Sequence, residues 1–269
     1  MTGCAANGTR PHKAVVFIQT TLRDTVWTPH LEPDMTASAE KFTRQTLLDV
    51  QPLTPNLFSL RVTRDAGFRF RSGQFARLGV SKADGSVVWR AYSMVSAPHD
   101  EYLDFFSIVV PGGEFTSELS RLGAGDTLLI DRQAFGFLTL DRFTGGRDLW
   151  LLATGTGIAP FMSILQDFEA WERFDNIKLV YSVREAKELA YVDEINTLEQ
   201  RDYLAEFAGK LQFIPVVTRE QHPGAPDQRI TTLIENGELE RAAGLALSLE
   251  HSRIMLCGNP EMIDVTRKV

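Results

Sequence analysis

The sequence predicts two domains of different class, an antiparallel β-barrel over residues 40–144 followed by a doubly wound parallel α/β domain over 147–269. Three observations carry this. From residue 42 to 142, short apolar–polar alternations are punctuated by Gly and Asp, the pattern of short antiparallel strands. After Gly145-Gly146 the strand candidates become apolar throughout and alternate with helical stretches, as βαβ units on a buried sheet require. The formal charge of −7 also divides there: residues 1–34 and 35–146 are each neutral, whereas 147–269 hold 13 basic and 20 acidic side chains.

The elements follow in order. Residues 1–34 contain one apolar cluster, Val15-Val16-Phe17-Ile18, among Pro11, Pro29 and Pro33, and are expected to be an N-terminal extension with little structure. The cluster is too short for the apolar region of a secretory signal. Barrel strands are predicted at Leu57–Val62, Phe75–Val80, Val87–Met94, Leu103–Val110 and Thr127–Ile130. Asp84-Gly85, Gly112-Gly113 and Gly123-Ala124-Gly125-Asp126 supply turns between them, and one helix over Thr116–Leu122 interrupts the series. In the second domain, strands are predicted at Leu149–Ala153, Ile177–Ser182, Leu211–Val217 and Arg253–Cys257. Helices are predicted over Pro160–Trp171, Leu189–Leu204 and Thr231–Glu235, with one more at the C-terminal end.

Composition narrows the function classes. With 43% hydrophobic and 23% charged residues the chain reads as an ordinary globular protein. No apolar run approaches the roughly 20 residues that cross a bilayer, so no membrane association is expected. The acidic balance argues against nucleic acid as a partner. Cys4 and Cys257 are too few for a disulfide framework, which points to a reducing, cytoplasmic compartment. The five histidines are scattered without metal-ligand spacing, so no metal is expected.

Chemistry concentrates in a few segments. Thr154-Gly155-Thr156-Gly157-Ile158-Ala159-Pro160 follows a strand and opens a helix; its glycines let backbone approach a ligand, and the helix start offers N–H groups to a pyrophosphate. A tight βα turn without a ligand is the plainer reading of a lone Gly-x-Gly. At the end of the next strand stands Arg184, where an acidic residue would be expected to hold an unphosphorylated ribose. An arginine suits a 2′-phosphate, and with Thr218-Arg219 and Arg229 nearby NADP is favoured over NAD. Arg90-Ala91-Tyr92-Ser93 offers an anion clamp, a stacking ring and a hydroxyl; by spacing alone it is also any half-buried strand.

Together these segments carry a resemblance. Arg90-Ala91-Tyr92-Ser93 resembles the R-x-Y-S flavin motif of the ferredoxin–NADP(H) reductase superfamily. Gly155-Thr156-Gly157-Ile158-Ala159-Pro160 is similar to its G-T-G-I-A-P nucleotide motif, and Cys257-Gly258-Asn259-Pro260-Glu261-Met262 to its C-G-x-P-x-M segment. The motifs stand in family order, and the similarity runs from Phe42 to Val269. Ser182-Val183-Arg184-Glu185, Leu189-Ala190-Tyr191, Val217-Thr218-Arg219-Glu220 and Arg229-Ile230-Thr231 resemble the bacterial ferredoxin/flavodoxin–NADP(H) reductases in particular.

The resemblance implies FAD and NADP(H) as cofactors and assigns roles. Arg90 would bind the FAD pyrophosphate, Tyr92 would stack on the isoalloxazine, and Ser93 would hydrogen-bond near flavin N5. Val109 and Val110 match the second FAD strand, and Thr116 and Ser117 a second phosphate contact. Thr154, Gly155, Thr156 and Gly157 would take the NADP pyrophosphate; Arg184, Thr218, Arg219 and Arg229 would surround the 2′-phosphate. Cys257, with Gly258 after it, would sit against the nicotinamide; a small buried hydrophobe is its plain alternative. Glu261 reads as a first-turn charge complementing the helix dipole. Members of the bacterial group usually continue past the position of Val269, so the C-terminal end reads as truncated, or as lacking that cover over the FAD. The implied activity is electron transfer between NADP(H) and a ferredoxin or flavodoxin by a cytoplasmic monomer. A reductase component of an oxygenase or other multi-subunit redox system, and a non-catalytic nucleotide-binding regulatory subunit, are the alternatives.

Overall fold

The structure is a computed structural model and describes residues 16–20 and 41–268. Two sheets organise it. The first has six antiparallel strands: β2 (Phe42–Pro52), β3 (Leu57–Thr63), β4 (Phe75–Ser81), β5 (Val87–Ser93), β6 (Tyr102–Ile108) and β7 (Thr127–Asp131). Their spatial order is β5-β4-β7-β2-β3-β6, and a bridge between Met94 and Phe105 joins the two outer strands, so the sheet curls almost shut. Val62, Ala76, Leu78, Leu103 and Phe105 fill its interior and are fully buried. One helix, α1 (Glu114–Leu119), packs Phe115 and Leu119 into that core.

The second sheet is parallel. β8 (Asp148–Thr154), β9 (Asn176–Val183), β10 (Leu211–Val217) and β11 (Ser252–Gly258) lie in the order β11-β8-β9-β10. Alternate residues of these strands feed two cores, as the strand period of two dictates. Leu149, Leu151, Leu179 and Tyr181 meet α2 (Ala159–Leu165) and α3 (Phe168–Arg173) on one side. Trp150, Leu152, Val180 and Val216 meet α5 (Ile230–Glu235), α6 (Glu238–Ala243) and α7 (Pro260–Thr266) on the other. The sheet is therefore covered on both faces, the doubly wound arrangement expected.

Several predicted boundaries are corrected. The single helix over 160–171 is two, because Gln166 and Asp167 turn towards the barrel: Gln166 Nε2 donates to the Val95 carbonyl at 2.8 Å, and Ser72 Oγ to Asp167 at 3.0 Å. The Trp171 indole donates to the Leu165 carbonyl and satisfies the end of α2. The helix predicted over 189–204 is only α4 (Val192–Thr197) followed by tighter turns, since Tyr191 is left-handed and Thr197 bonds back to the Asp193 carbonyl. α1 begins at Glu114 rather than Thr116, and α6 has no counterpart in the sequence reading. Within the segment expected to have little structure, β1 (Val16–Thr20) runs parallel to β11, Val16 opposite Ile254 and Thr20 opposite Gly258. The remainder of residues 1–34 lies outside the described residues, as does Val269.

Candidate functional site

The parallel sheet reverses its winding between β8 and β11, and the crevice at such a switch point, beyond the carboxyl ends of the strands, is where α/β sheets bind ligands. Cys257 pairs with Ala153 there, so the turn after β8 and the turn after β11 stand side by side. Their closeness depends on two glycines. A Cβ on Gly157 would lie 2.2 Å from the Cys257 carbonyl oxygen, and one on Gly258, at φ +141°, would lie 2.0 Å from Thr154 Oγ1. Thr154 Oγ1 in turn accepts the Asn259 N–H at 2.7 Å. Gly155 differs: its φ is +53° and no atom stands within 4 Å of where a side chain would begin. The turn is thus braced behind by Gly157 and open in front at Gly155, which fits a pyrophosphate lying on backbone.

The basic residues assemble in part. Arg219 N–H donates to the Arg184 carbonyl at 2.9 Å and Thr218 N–H to the Val183 carbonyl at 3.1 Å, bringing Arg184, Thr218 and Arg219 together at the ends of β9 and β10. Arg184 and Arg219 are exposed. Arg229 precedes α5 and faces Glu261 at 3.6 Å, so Glu261 has an ion-pair partner besides its place in the first turn of α7. Two side chains to which the sequence reading gave no site role shape this corner: Glu188 accepts the N–H groups of Arg184 and Glu185, and Glu220 that of Ala186. Only the paired spacing of Glu185 and Glu188 around the loop could have signalled them.

On the barrel, Arg90, Tyr92 and Ser93 lie on β5, where residues 89–93 are all partly open while the adjoining Ala76 and Leu78 of β4 are buried. An uncovered strip with an arginine and a tyrosine two residues apart, and so on one side of the strand, fits a flat phosphorylated cofactor. Tyr92 OH lies 2.9 Å from Ser107 Oγ, its ring is 5.5 Å from that of Phe115, and burial pushes its pKa up. Val109 and Val110 follow β6, and the Val110 N–H donates to Thr116 Oγ1. Thr116 is buried in that turn, and Ser117 sits one residue on, inside the helix rather than at its start. Cys257 is buried, and desolvation pushes its thiol up to about 12, so the sulfur stays protonated and uncharged at neutral pH.

The comparisons with known proteins agree with this geometry. The family model for the oxidoreductase FAD-binding domain matches residues 52–132, and that for the oxidoreductase NAD-binding domain matches 151–268. The chain is 43% identical over 225 residues to ferredoxin–NADP reductase A of Sorangium cellulosum, covering 82% of this chain and 80% of that one. The chain belongs to the ferredoxin–NADP reductase family. A second member, the flavodoxin/ferredoxin–NADP reductase of Escherichia coli, is 42% identical over 218 residues, 81% of this chain and 85% of its own. The crystal structure of a family member from Neisseria gonorrhoeae with bound FAD and NADP superposes with a TM-score of 0.79 at 38% identity, over 86% of this chain and 90% of that one. The two sheets are thus the FAD-binding and NAD-binding domains of this reductase family. Among the described residues no helix is long and apolar enough to cross a membrane.

Proposed function

We propose that the chain is an FAD-dependent ferredoxin/flavodoxin–NADP+ reductase, moving electrons between NADP(H) and a one-electron carrier. The observation that carries this is the close seating of the Thr154–Gly157 turn against Cys257–Gly258 at the sheet's switch point, with an open strip of arginine, tyrosine and serine on β5. Bound FAD and NADP(H) supply the redox chemistry, a hydride exchanged between nicotinamide C4 and flavin N5 and electrons released singly to the carrier. The protein's residues bind and orient. Arg90 clamps the flavin's pyrophosphate, and Tyr92, fixed by Ser107, presents its ring. Gly155 admits the nicotinamide nucleotide's pyrophosphate, and Arg184, Thr218, Arg219 and Arg229 hold its 2′-phosphate. Cys257 offers the nicotinamide an uncharged apolar wall.

The carrier we assign is a ferredoxin, the partner that the named relatives share in their names, and one with an acidic surface. What supports it is a cleft close to the end of β5, lined by Arg69, Arg71, Phe137 and Arg142, in which Asp141 pairs with Arg71 and leaves the arginines in excess. Phe137 is 73% exposed and carries the Arg142 guanidinium 4.6 Å above its ring, and Gln74 beside them accepts the Met94 N–H, next to Ser93. Arginine around an exposed aromatic is the composition of a protein-docking centre. The test is direct: the purified protein should be yellow, oxidise NADPH with ferricyanide as acceptor, and reduce ferredoxin-coupled cytochrome c. A colourless protein, or one without NADPH turnover, refutes the reading.

A further inference from the structure

The loop that follows β9 ends on a residue held in two unfavourable states. Tyr191 has φ +62° and is the one non-glycine with positive φ among the described residues. Its hydroxyl is buried without a hydrogen-bond partner. Neither state is obligatory: glycine would relieve the backbone, and phenylalanine would remove the stranded hydroxyl. Such costs persist where the surroundings over-determine them. What holds Tyr191 is a contact between the domains. Its ring meets that of Phe106 edge-on, centroids 5.3 Å apart with planes at 73°. Phe106 is buried on β6, and the next residue, Ser107, is the one whose hydroxyl meets Tyr92 OH.

The other side of Tyr191 leads to the nucleotide corner. Glu188, three residues earlier, folds the Arg184–Glu188 loop by accepting two backbone N–H groups, and its own carbonyl accepts from Tyr181 OH at 3.2 Å. The barrel segment after Ser93 is gripped separately, by Ser163 Oγ donating to the Ser96 carbonyl at 2.7 Å and by Gln166 on Val95. The nucleotide domain therefore holds both strands that carry Tyr92 and its partner: the chain beyond β5 through α2, and β6 through Tyr191.

We propose that Tyr191 is a positioning residue of the electron-transfer site. Its ring, packed on Phe106, fixes the backbone of β6, whose next residue, Ser107, meets Tyr92 from the opposite face of the strand; Tyr191 thereby joins the loop that begins at Arg184 to the flavin surface. This rests on the assignment of Tyr92 to the flavin. The test uses the FAD-loaded enzyme as wild type, Tyr191→Phe and Tyr191→Leu, mixed anaerobically with NADPH while the flavin's visible absorbance is followed. Tyr191→Leu should slow flavin reduction at saturating NADPH about tenfold and shift the flavin band. The NADPH concentration for half-maximal rate should stay within about twofold, separating positioning from binding. Tyr191→Phe should restore rate and band, and should raise the melting temperature because an unpartnered hydroxyl is gone. Wild-type rate and band in Tyr191→Leu overturn the proposal, and so does a Tyr191→Phe enzyme as slow as Tyr191→Leu. If Tyr191→Leu does not fold, Phe106→Leu removes the opposing ring and carries the same expectation. A wild-type protein purified without flavin is a different failure, of the Tyr92 assignment, and is seen before any variant is made.

Discussion

The Asn259 N–H donates to Thr154 Oγ1 at 2.7 Å, one bond joining the end of β8 to the cap of α7 across 105 residues of chain. Cys257 and Gly258 lie just before that bond, so it sets how near the β11 turn comes to the Thr154–Gly157 turn. Thr154→Val keeps the side-chain shape and deletes the acceptor, at a cost of about 1 kcal/mol in stability. The expected kinetic signature is a fall in NADPH–ferricyanide kcat larger than the rise in NADPH KM, with Thr154→Ser close to wild type. Steady-state kinetics on the three proteins check this, and an unchanged kcat in Thr154→Val would remove the bond from the site's machinery.

The three glycines of the crevice separate folding from binding. Gly157→Ala and Gly258→Ala each drive a methyl into backbone or a fixed hydroxyl, at 2.2 and 2.0 Å, and should cost more than about 3 kcal/mol. Gly155→Ala meets nothing and pays only for its left-handed backbone, about 1–2 kcal/mol. Its methyl would stand where we assign the pyrophosphate, so NADPH KM should rise at least tenfold while the protein stays folded. Urea midpoints beside KM values distinguish these outcomes; a Gly155→Ala enzyme with wild-type KM removes Gly155 from the nucleotide site.

Both domains were legible in the sequence because each announces its class through periodicity: alternation in β3 and β4, an unbroken apolar run over Leu149–Ala153 in β8, and a mostly apolar one in β10, whose Leu211–Val217 span is matched to the residue. What periodicity does not carry is where a helix is interrupted by a contact from another domain. Gln166 is a good helix residue and Asp167 a helix-start type, but a single Asp does not place a break; the helix divides there because Val95 and Ser72 lie opposite. Tyr191 is a similar case: nothing in its type suggests a left-handed backbone. Of the site, the glycine turn and the arginines were visible from residue type and spacing. The roles of Glu188 and Glu220, and the Arg229 partner of Glu261, were not, because they depend on which N–H groups or cations the fold brings within reach.

Cys257 gives a pH dependence with a definite sign. The folded thiol holds its proton to about pH 12, whereas an unfolded thiol releases it near 8.5. Between those values the unfolded chain binds fewer protons than the folded one, so stability falls as pH rises. The contribution is fully present below about pH 8.5 and is lost progressively towards 12. Urea midpoints at pH 7, 9 and 10.5 should decline less in Cys257→Ala than in wild type. At pH 8 the native proteins should show equal thiol titres with Ellman's reagent and differ by one thiol in denaturant; a reactive native Cys257 would contradict its burial.

Arg219 reports on cofactor choice. It lies beside Arg184 through the backbone bond between β10 and β9, is exposed, and has Glu185 as an electrostatic neighbour. Arg219→Ala should therefore raise NADPH KM with little change in kcat, because a 2′-phosphate contact is made equally in the ground and transition states. The expected loss is about tenfold in kcat/KM for NADPH and none for NADH, the scale of one charge-assisted contact. The same NADPH/NADH preference in variant and wild type would refute the assignment, whatever happens to absolute rates.

Arg142 tests the docking face, and its logic separates long-range attraction from contact. Charge reversal on the rim of a complex acts mainly on association rate and is screened by salt, whereas loss of a buried apolar contact is not. Arg142→Glu should lower kcat/KM for an acidic ferredoxin about tenfold at low ionic strength, and the deficit should shrink to about twofold in 0.5 M salt. Phe137→Ala should instead show a deficit that salt leaves in place, because its exposed ring is the apolar part of the same patch. Reduction of a neutral quinone by NADPH needs no docking and should be unchanged in both variants. Equal losses with ferredoxin and quinone would place the defect inside the enzyme and reject the cleft around Phe137 as the carrier's seat.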